Sequence, residues 1–192
     1  MRLLGDPPQH HRHVRVSGNT CLRSGEVAIF SEFGFSGSLI ADNLIDGAAL
    51  GISMTNLDTG GRLAICSGNL VRNIAPASAV NPDTVPVGIF AEADAVVTGN
   101  IVEDVPGTGI LAGWGPYLRD VLVTDNLVRN ADIGIAASVA PGAGRARIAG
   151  NLITGARRHA IAGMAWSEVA APDLVAEAAA HPHLAIGENT ID

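Results

Sequence analysis

The chain has 192 residues, 47% of them hydrophobic but only 4% aromatic, and a formal net charge of −7. Its length suits one domain with an aliphatic core, and its acidity argues against nucleic acid or an anionic membrane as partner. No apolar run is long enough for a transmembrane helix, and every Lys-or-Arg position is Arg, which excludes lysine Schiff-base chemistry and a P-loop.

Residues 1–13 are rich in Pro and His and read as a flexible lead-in without the apolar core of a signal peptide. His10, His11 and His13 resemble a metal cluster, but no nearby carboxylate or Cys completes a ligand set, so no metal site is predicted. From Val14 onward one unit recurs, typified by Val97-Thr98-Gly99-Asn100-Ile101-Val102. Its Asn stands at Asn19, Asn43, Asn69, Asn100, Asn126, Asn151 and Asn189, spaced by 24 to 38 residues, a period that marks a solenoid.

Three residues before each Asn stand Val16, Ile40, Cys66, Val97, Val123, Ile148 and Ile186. Two residues after stand Cys21, Ile45, Val71, Val102, Val128, Ile153 and Ile191. Mostly β-branched columns of this kind suit short, half-buried strands. The residue before each Asn is Gly, Asp or, once, Glu188, which marks a sharp bend between two strands. Stacked coils would align the seven Asn side chains into a hydrogen-bonded ladder. A second signature follows, Ala28-Ile29-Phe30, Gly51-Ile52-Ser53, Gly88-Ile89-Phe90, Gly109-Ile110-Leu111, Gly134-Ile135-Ala136 and Ala160-Ile161-Ala162. Three strands per coil predict an all-β, right-handed parallel β-helix of about seven coils over residues 14–192, a rod of about 34 Å. A leucine-rich horseshoe fits less well, because the columns are Val and Ile and the Gly-rich turns leave no room for helices.

Between the coils, residues 75–86 read as an extruded loop rich in Pro, Ala and Asn. Residues 172–180 read as a short helix with Pro172 in its first turn, resting on the rod through Leu174, Val175 and Ala178. Cys21 and Cys66 fall in different columns and read as unpaired core thiols. No segment forms an end cap over the first coil, so the chain is expected to be the later part of a longer solenoid or to dock that coil on a partner.

The loops that follow the Gly-Ile strands carry Phe33, Phe35, Trp114, Tyr117 and Trp166, interspersed with Glu32, Asp58, Glu92, Asp94, Arg119, Asp120 and Arg145. Rings beside charged groups suit a polysaccharide, since rings stack on apolar sugar faces and ionic groups bind hydroxyls or uronates. The plainer reading is that the rings shield the ends of the core. As an enzyme, a hydrolase would pair Asp58 with Glu92 or Asp94, and a lyase would use a carboxylate-bound Ca²⁺ with Arg119 or Arg145 as base. No other cofactor is implied. Arg157-Arg158-His159 reads as a solvated turn.

The repeats Ser17-Gly18-Asn19-Thr20, Ser67-Gly68-Asn69-Leu70, Thr98-Gly99-Asn100-Ile101 and Ala149-Gly150-Asn151-Leu152 resemble those of the pectate-lyase-like superfamily of right-handed parallel β-helices. More narrowly, the coil sequence and the tail through Gly163-Met164-Ala165-Trp166 to Asn189 resemble a bacterial family of twin-arginine-translocated repetitive proteins. That resemblance implies a periplasmic or secreted location. The chain opens Met1-Arg2-Leu3-Leu4-Gly5 without a twin-arginine signal, so export is implied if it is a fragment. No catalytic motif of the superfamily stands at matching positions, and no catalytic residue carries over. The readings are therefore an exported glycan-binding module, a β-helix lyase, hydrolase or epimerase, or a purely structural scaffold.

Overall fold

A computed structural model of the chain describes residues 11–32, 35–55 and 62–192. It is a parallel β-helix whose three faces follow the three predicted strands of each coil. The first face, leading into the Asn corner, stacks Arg15–Ser17, Phe35–Ala41, Arg62–Ser67, Ala95–Thr98, Val121–Thr124, Ala146–Ala149 and Leu184–Gly187. The described end of the lead-in, His11–Arg12, already pairs in parallel with Phe35 and Ser36. The second face begins at the residue after each Asn, and the third carries the Gly-Ile signature. In the fourth and fifth coils these two faces are one continuous strand, Ile101–Ala112 and Leu127–Ser138. Among the described residues all coil-to-coil ladders are parallel. One antiparallel pairing occurs at the far edge of the third face, where Glu168–Ala171 folds back on His159–Ala165.

The three aliphatic columns are in register from end to end. Val16, Ile40, Cys66, Val97, Val123, Ile148 and Ile186 are successive ladder partners. So are Cys21 to Ile191 on the second face and Ile29, Ile52, Ile89, Ile110, Ile135 and Ile161 on the third. Their middle members are fully buried, each stabilising the rod by roughly 1.5–3 kcal/mol. The Gly of the third-face signature is required by space. A Cβ on Gly88 would lie 2.5 Å from both the Gly109 carbonyl oxygen and Val102 Cγ1, and one on Gly109 would meet Gly134 and Val128 in the same way.

The Asn ladder forms along the whole rod. Each Asn Oδ1 accepts the backbone N–H and the Nδ2–H of the Asn one coil earlier, at 2.9–3.1 Å. From Asn43 on, each Nδ2 also reaches back to a first-face carbonyl of the preceding coil, as Asn100 does to Cys66 O at 3.0 Å. The residue before every Asn, including Asp42, Asp125 and Glu188, has φ between +56° and +70°, the bend expected from sequence.

Two further left-handed columns complete the cross-section. Four residues after the Asn stand Arg23, Gly47, Asn73, Asp104, Asn130 and Gly155, and six before it stand His13, Gly37, Leu63, Asp94 and Asp120. At the second corner side chains again tie coil to coil, with Asn73 Nδ2 donating to Asp46 and Asn130 Nδ2 to Asp104. Arg157, exposed as expected of a solvated turn, also joins this edge. It donates to Asp132, to Asn130 O and to Val105 O, joining three successive coils.

Two segments depart from expectation. Residues 172–180 form a turn and a single 3₁₀ turn, Ala178–Ala180, in place of a helix. Asp173 Oδ1 accepts the N–H groups of Val175 and Ala176, and Glu177 Oε1 accepts that of Asp173, and such local bonds compete with helical ones. Leu174 is fully buried as expected, but Val175 is half exposed. The loop 75–86 leaves the rod and then lies back along it to the first coil, where Ala79 N–H and Ser78 Oγ both donate to Gly25 O. Among the described residues no helix is long and apolar enough to cross a membrane.

Replacing Asn100 by Ala would orphan two donors of Asn69 together with Cys66 O, all in the buried ladder. It is expected to cost about 3 kcal/mol or more in urea unfolding, against about 1 kcal/mol or less for Asn19→Ala at the exposed end. Burial pushes the Cys66 thiol from 9.0 up to about 12, with the Asn69 amide opposing it. The fold therefore holds that proton more tightly than the unfolded chain does. The stability this gives is present below pH 9 and is lost as pH rises toward 12. A Cys66→Ala variant should show a flatter alkaline slope, and in the native wild type a thiol reagent should label half-buried Cys21 before Cys66.

Candidate functional site

Strand alternation decides what the third face shows to the outside. With Ile29, Ile52, Ile89 and Ile110 turned into the core, the next residues, Phe30, Ser53, Phe90 and Leu111, point outward in register. Leu50, Val87 and Thr108 form a second outward row. Val87 and Leu111 of these rows belong, with Ile133 and Met164, to an apolar cluster on the outside of the sheet, separate from the core, against which Leu50, Phe90 and Trp114 pack. The two rows are the floor of a cleft of about 620 Å³.

The returning loop supplies one wall of the cleft through Asn81, Asp83, Thr84 and Val85. Its shape is held from within. Ser78 Oγ accepts the N–H groups of Val80 and Asn81, and Asn81 Oδ1 accepts that of Asp83. Trp114, Met164 and Ser167 line the cleft from the later coils. Trp114 and Trp166 meet edge to face with ring centroids 5.9 Å apart, Tyr117 meets Trp166 at 6.3 Å, and Phe90 meets Trp114 at 6.3 Å. The backbone beneath these rings is pinned, since Ser138 Oγ donates to Gly115 O at 2.7 Å and Gly113 N–H to Ala91 O. Trp166 occupies the turn of the antiparallel hairpin at φ +58°, an uncommon angle for so large a side chain. Its ring lies against Gly115, where a Cβ would come within 2.5 Å of Trp166 Cη2.

The structure thus brings together Trp114, Tyr117 and Trp166, the rings expected along this edge. Phe35 is instead 2% exposed and belongs to the core at the start of a first-face strand. Phe33 and Asp58 lie outside the described residues. Phe30 and Phe90 are masked in the sequence by their place inside the Gly-Ile signature, although the period of two turns them outward.

Of the charged candidates, Glu92 lies at the base of the cleft and is 1% exposed. Its backbone N–H donates to Met54 O, which places it beside Thr55, and Glu32 is the ladder partner of Thr55 on the other side. Glu32 and Glu92 thus flank one row two coils apart, a backbone separation of roughly 9.6 Å. Asp94 and Arg119 pair with each other on a neighbouring edge. Arg119 donates to Asp94 Oδ2 from Nε at 2.9 Å and from Nη2 at 2.5 Å, which commits that guanidinium to a structural bond between coils. Arg145 is largely solvated beside Asp120, 3.5 Å away, and neither it nor Arg119 lines the cleft. Among the described residues no three His, Cys, Asp or Glu side chains converge as a metal site.

Gly115→Ala is expected to push the Trp166 ring away from this turn, since the new methyl group meets it and φ is +54°. The change should appear as a red shift of tryptophan emission and a loss of near-ultraviolet dichroism, with the far-ultraviolet β signal retained. Comparison of the chain with protein-family models, with curated proteins and with solved structures finds no match.

Proposed function

We propose that this protein is a glycan-binding β-helix whose ligand lies in the third-face cleft along the rod. The observation that carries the reading is the outward row that places Phe30 and Phe90 two coils apart, with Trp114 alongside. Ligand sites are typically concave, largely apolar and furnished with a few placed polar groups, and aromatic faces stack on the apolar faces of sugars. Here Ser53, Thr55 and Thr108 interrupt the apolar floor with hydroxyls suited to sugar hydroxyls. The resemblance to the pectate-lyase-like superfamily and to twin-arginine-exported repetitive proteins agrees with an exported protein that meets polysaccharide or cell-envelope material outside the cytoplasm.

A second reading rests on Glu32 and Glu92. Two carboxylates across one row, at roughly the spacing of an inverting pair, suit a glycoside hydrolase. In that reading Glu92, shielded from water, is the proton donor to the leaving oxygen and Glu32 activates the attacking water. Lyase chemistry through Arg119 is disfavoured by its two hydrogen bonds to Asp94.

Calorimetric titration with the oligosaccharides selected on a glycan array tests the binding reading. Phe90→Ala and Trp114→Ala should each weaken the interaction about tenfold, the loss of about 1.4 kcal/mol expected for a stacked ring. Leu152→Ala, on the exposed second face, should leave it unchanged. Equal affinity in all three variants would remove the cleft from consideration. Turnover of the bound oligosaccharide that Glu92→Gln abolishes without weakening binding would favour the hydrolase.

A further inference from the structure

We infer that the cleft selects a cationic sugar chain, one carrying free amino groups, over neutral or uronate chains. This deepens the glycan reading above and rests on it. Four carboxylate residues line the cleft, Glu26, Glu32, Asp83 and Glu92, and no Arg or His stands among its described lining. They come from different parts of the chain. Glu26 precedes the first third-face strand and Glu32 ends it, Asp83 is on the returning loop, and Glu92 follows the third-face strand of the third coil.

Six of the arginines are paired elsewhere on the rod. Arg72, Arg119, Arg129, Arg147 and Arg157 each pair with an acid of an adjoining coil, as does exposed Arg145 with Asp120. None of these six stands in the lining of the cleft, where Glu26, Glu32 and Asp83 give the walls negative charge. No three of the described acids converge as they would around a metal ion, so the complementary charge is spread along the ligand. A uronate polymer would bring carboxylates against carboxylates, which costs affinity and rejects such partners. Protonated amines on successive sugars could face Glu26, Glu32 and Asp83 while the apolar ring faces rest on Phe30, Phe90 and Trp114.

The test titrates the whole chain with three oligosaccharides of matched length: glucosamine, N-acetylglucosamine and galacturonate oligomers. An oligolysine of equal charge is the fourth arm. The glucosamine oligomer should bind at least about tenfold tighter than its N-acetylated form in low salt, and the ratio should shrink in high salt, as screening requires. The double variant Glu26→Gln/Asp83→Asn, whose fold is checked by its melting curve, should abolish the preference while retaining binding of the N-acetylated oligomer. Equal binding of the two amino-sugar oligomers, or tighter binding of the uronate, would overturn this inference and leave glycan binding standing. Oligolysine matching glucosamine in affinity would overturn it too, by showing that charge alone is read. Failure of every saccharide on the array and in solution would overturn the glycan reading itself.

Discussion

The structure depends on the asparagine amide ladder. A parallel β-helix must turn sharply at a corner that is partly closed to water, where backbone N–H groups would otherwise lack partners. One amide per coil resolves this. Its oxygen takes two donors from the coil before, and its nitrogen returns to that coil's backbone. Because each Asn is at once acceptor and donor, the corner propagates without a change of pattern from Asn19 to Asn189. The left-handed residue just before it aims the amide inward, which is why Asp42, Asp125 and Glu188 hold a conformation more often left to Gly.

With one corner pinned in this way, the other two can vary. The columns at Arg23 to Gly155 and at His13 to Asp120 mix Gly and Asn with Arg, His and Leu. Leu63 is the plainest case, a 69% exposed leucine at φ +61°, where the left-handed conformation costs roughly 1–2 kcal/mol. Variation in coil length is confined to two places, the connection from second to third face and the connection from third to first. The loop 75–86 uses the first and the Trp114 and Trp166 segments use the second. Both open beside the outward rows of the third face, so the scaffold stays regular while its irregular parts enclose the cleft.

Much of this could be read in the amino acids. Three columns of Val and Ile, the Asn at fixed offsets and the preceding Gly or Asp foretold the coils, the register and the first corner, because the identity of each residue is dictated by its own place in the stack. The second corner was also written there, as Gly47, Asn73, Asp104, Asn130 and Gly155, but Arg23 at its head obscures the column. The cleft was harder to see. Phe30 and Phe90 look like core residues in a signature dominated by buried Ile, and only the alternation of the strand separates the two. The partnership of Ala79 with Gly25 joins residues more than fifty positions apart and carries no local pattern. The Ala-rich stretch to Ala180 suggests a helix by propensity, yet Asp173 and Glu177 bind the local backbone instead.

The fold-back of residues 75–86 has a consequence for how the molecule is assembled. In a solenoid each unit meets only its neighbours, so growth can begin anywhere and proceed by nearest-neighbour steps. A strap that leaves the third coil and fastens to Gly25 in the first breaks that rule. It has nothing to fasten to until the intervening turn of the rod is in place. The recess it borders is therefore closed only when the first and third coils are both in place, a second-neighbour tie like the one Arg157 makes between the sixth coil and the fourth.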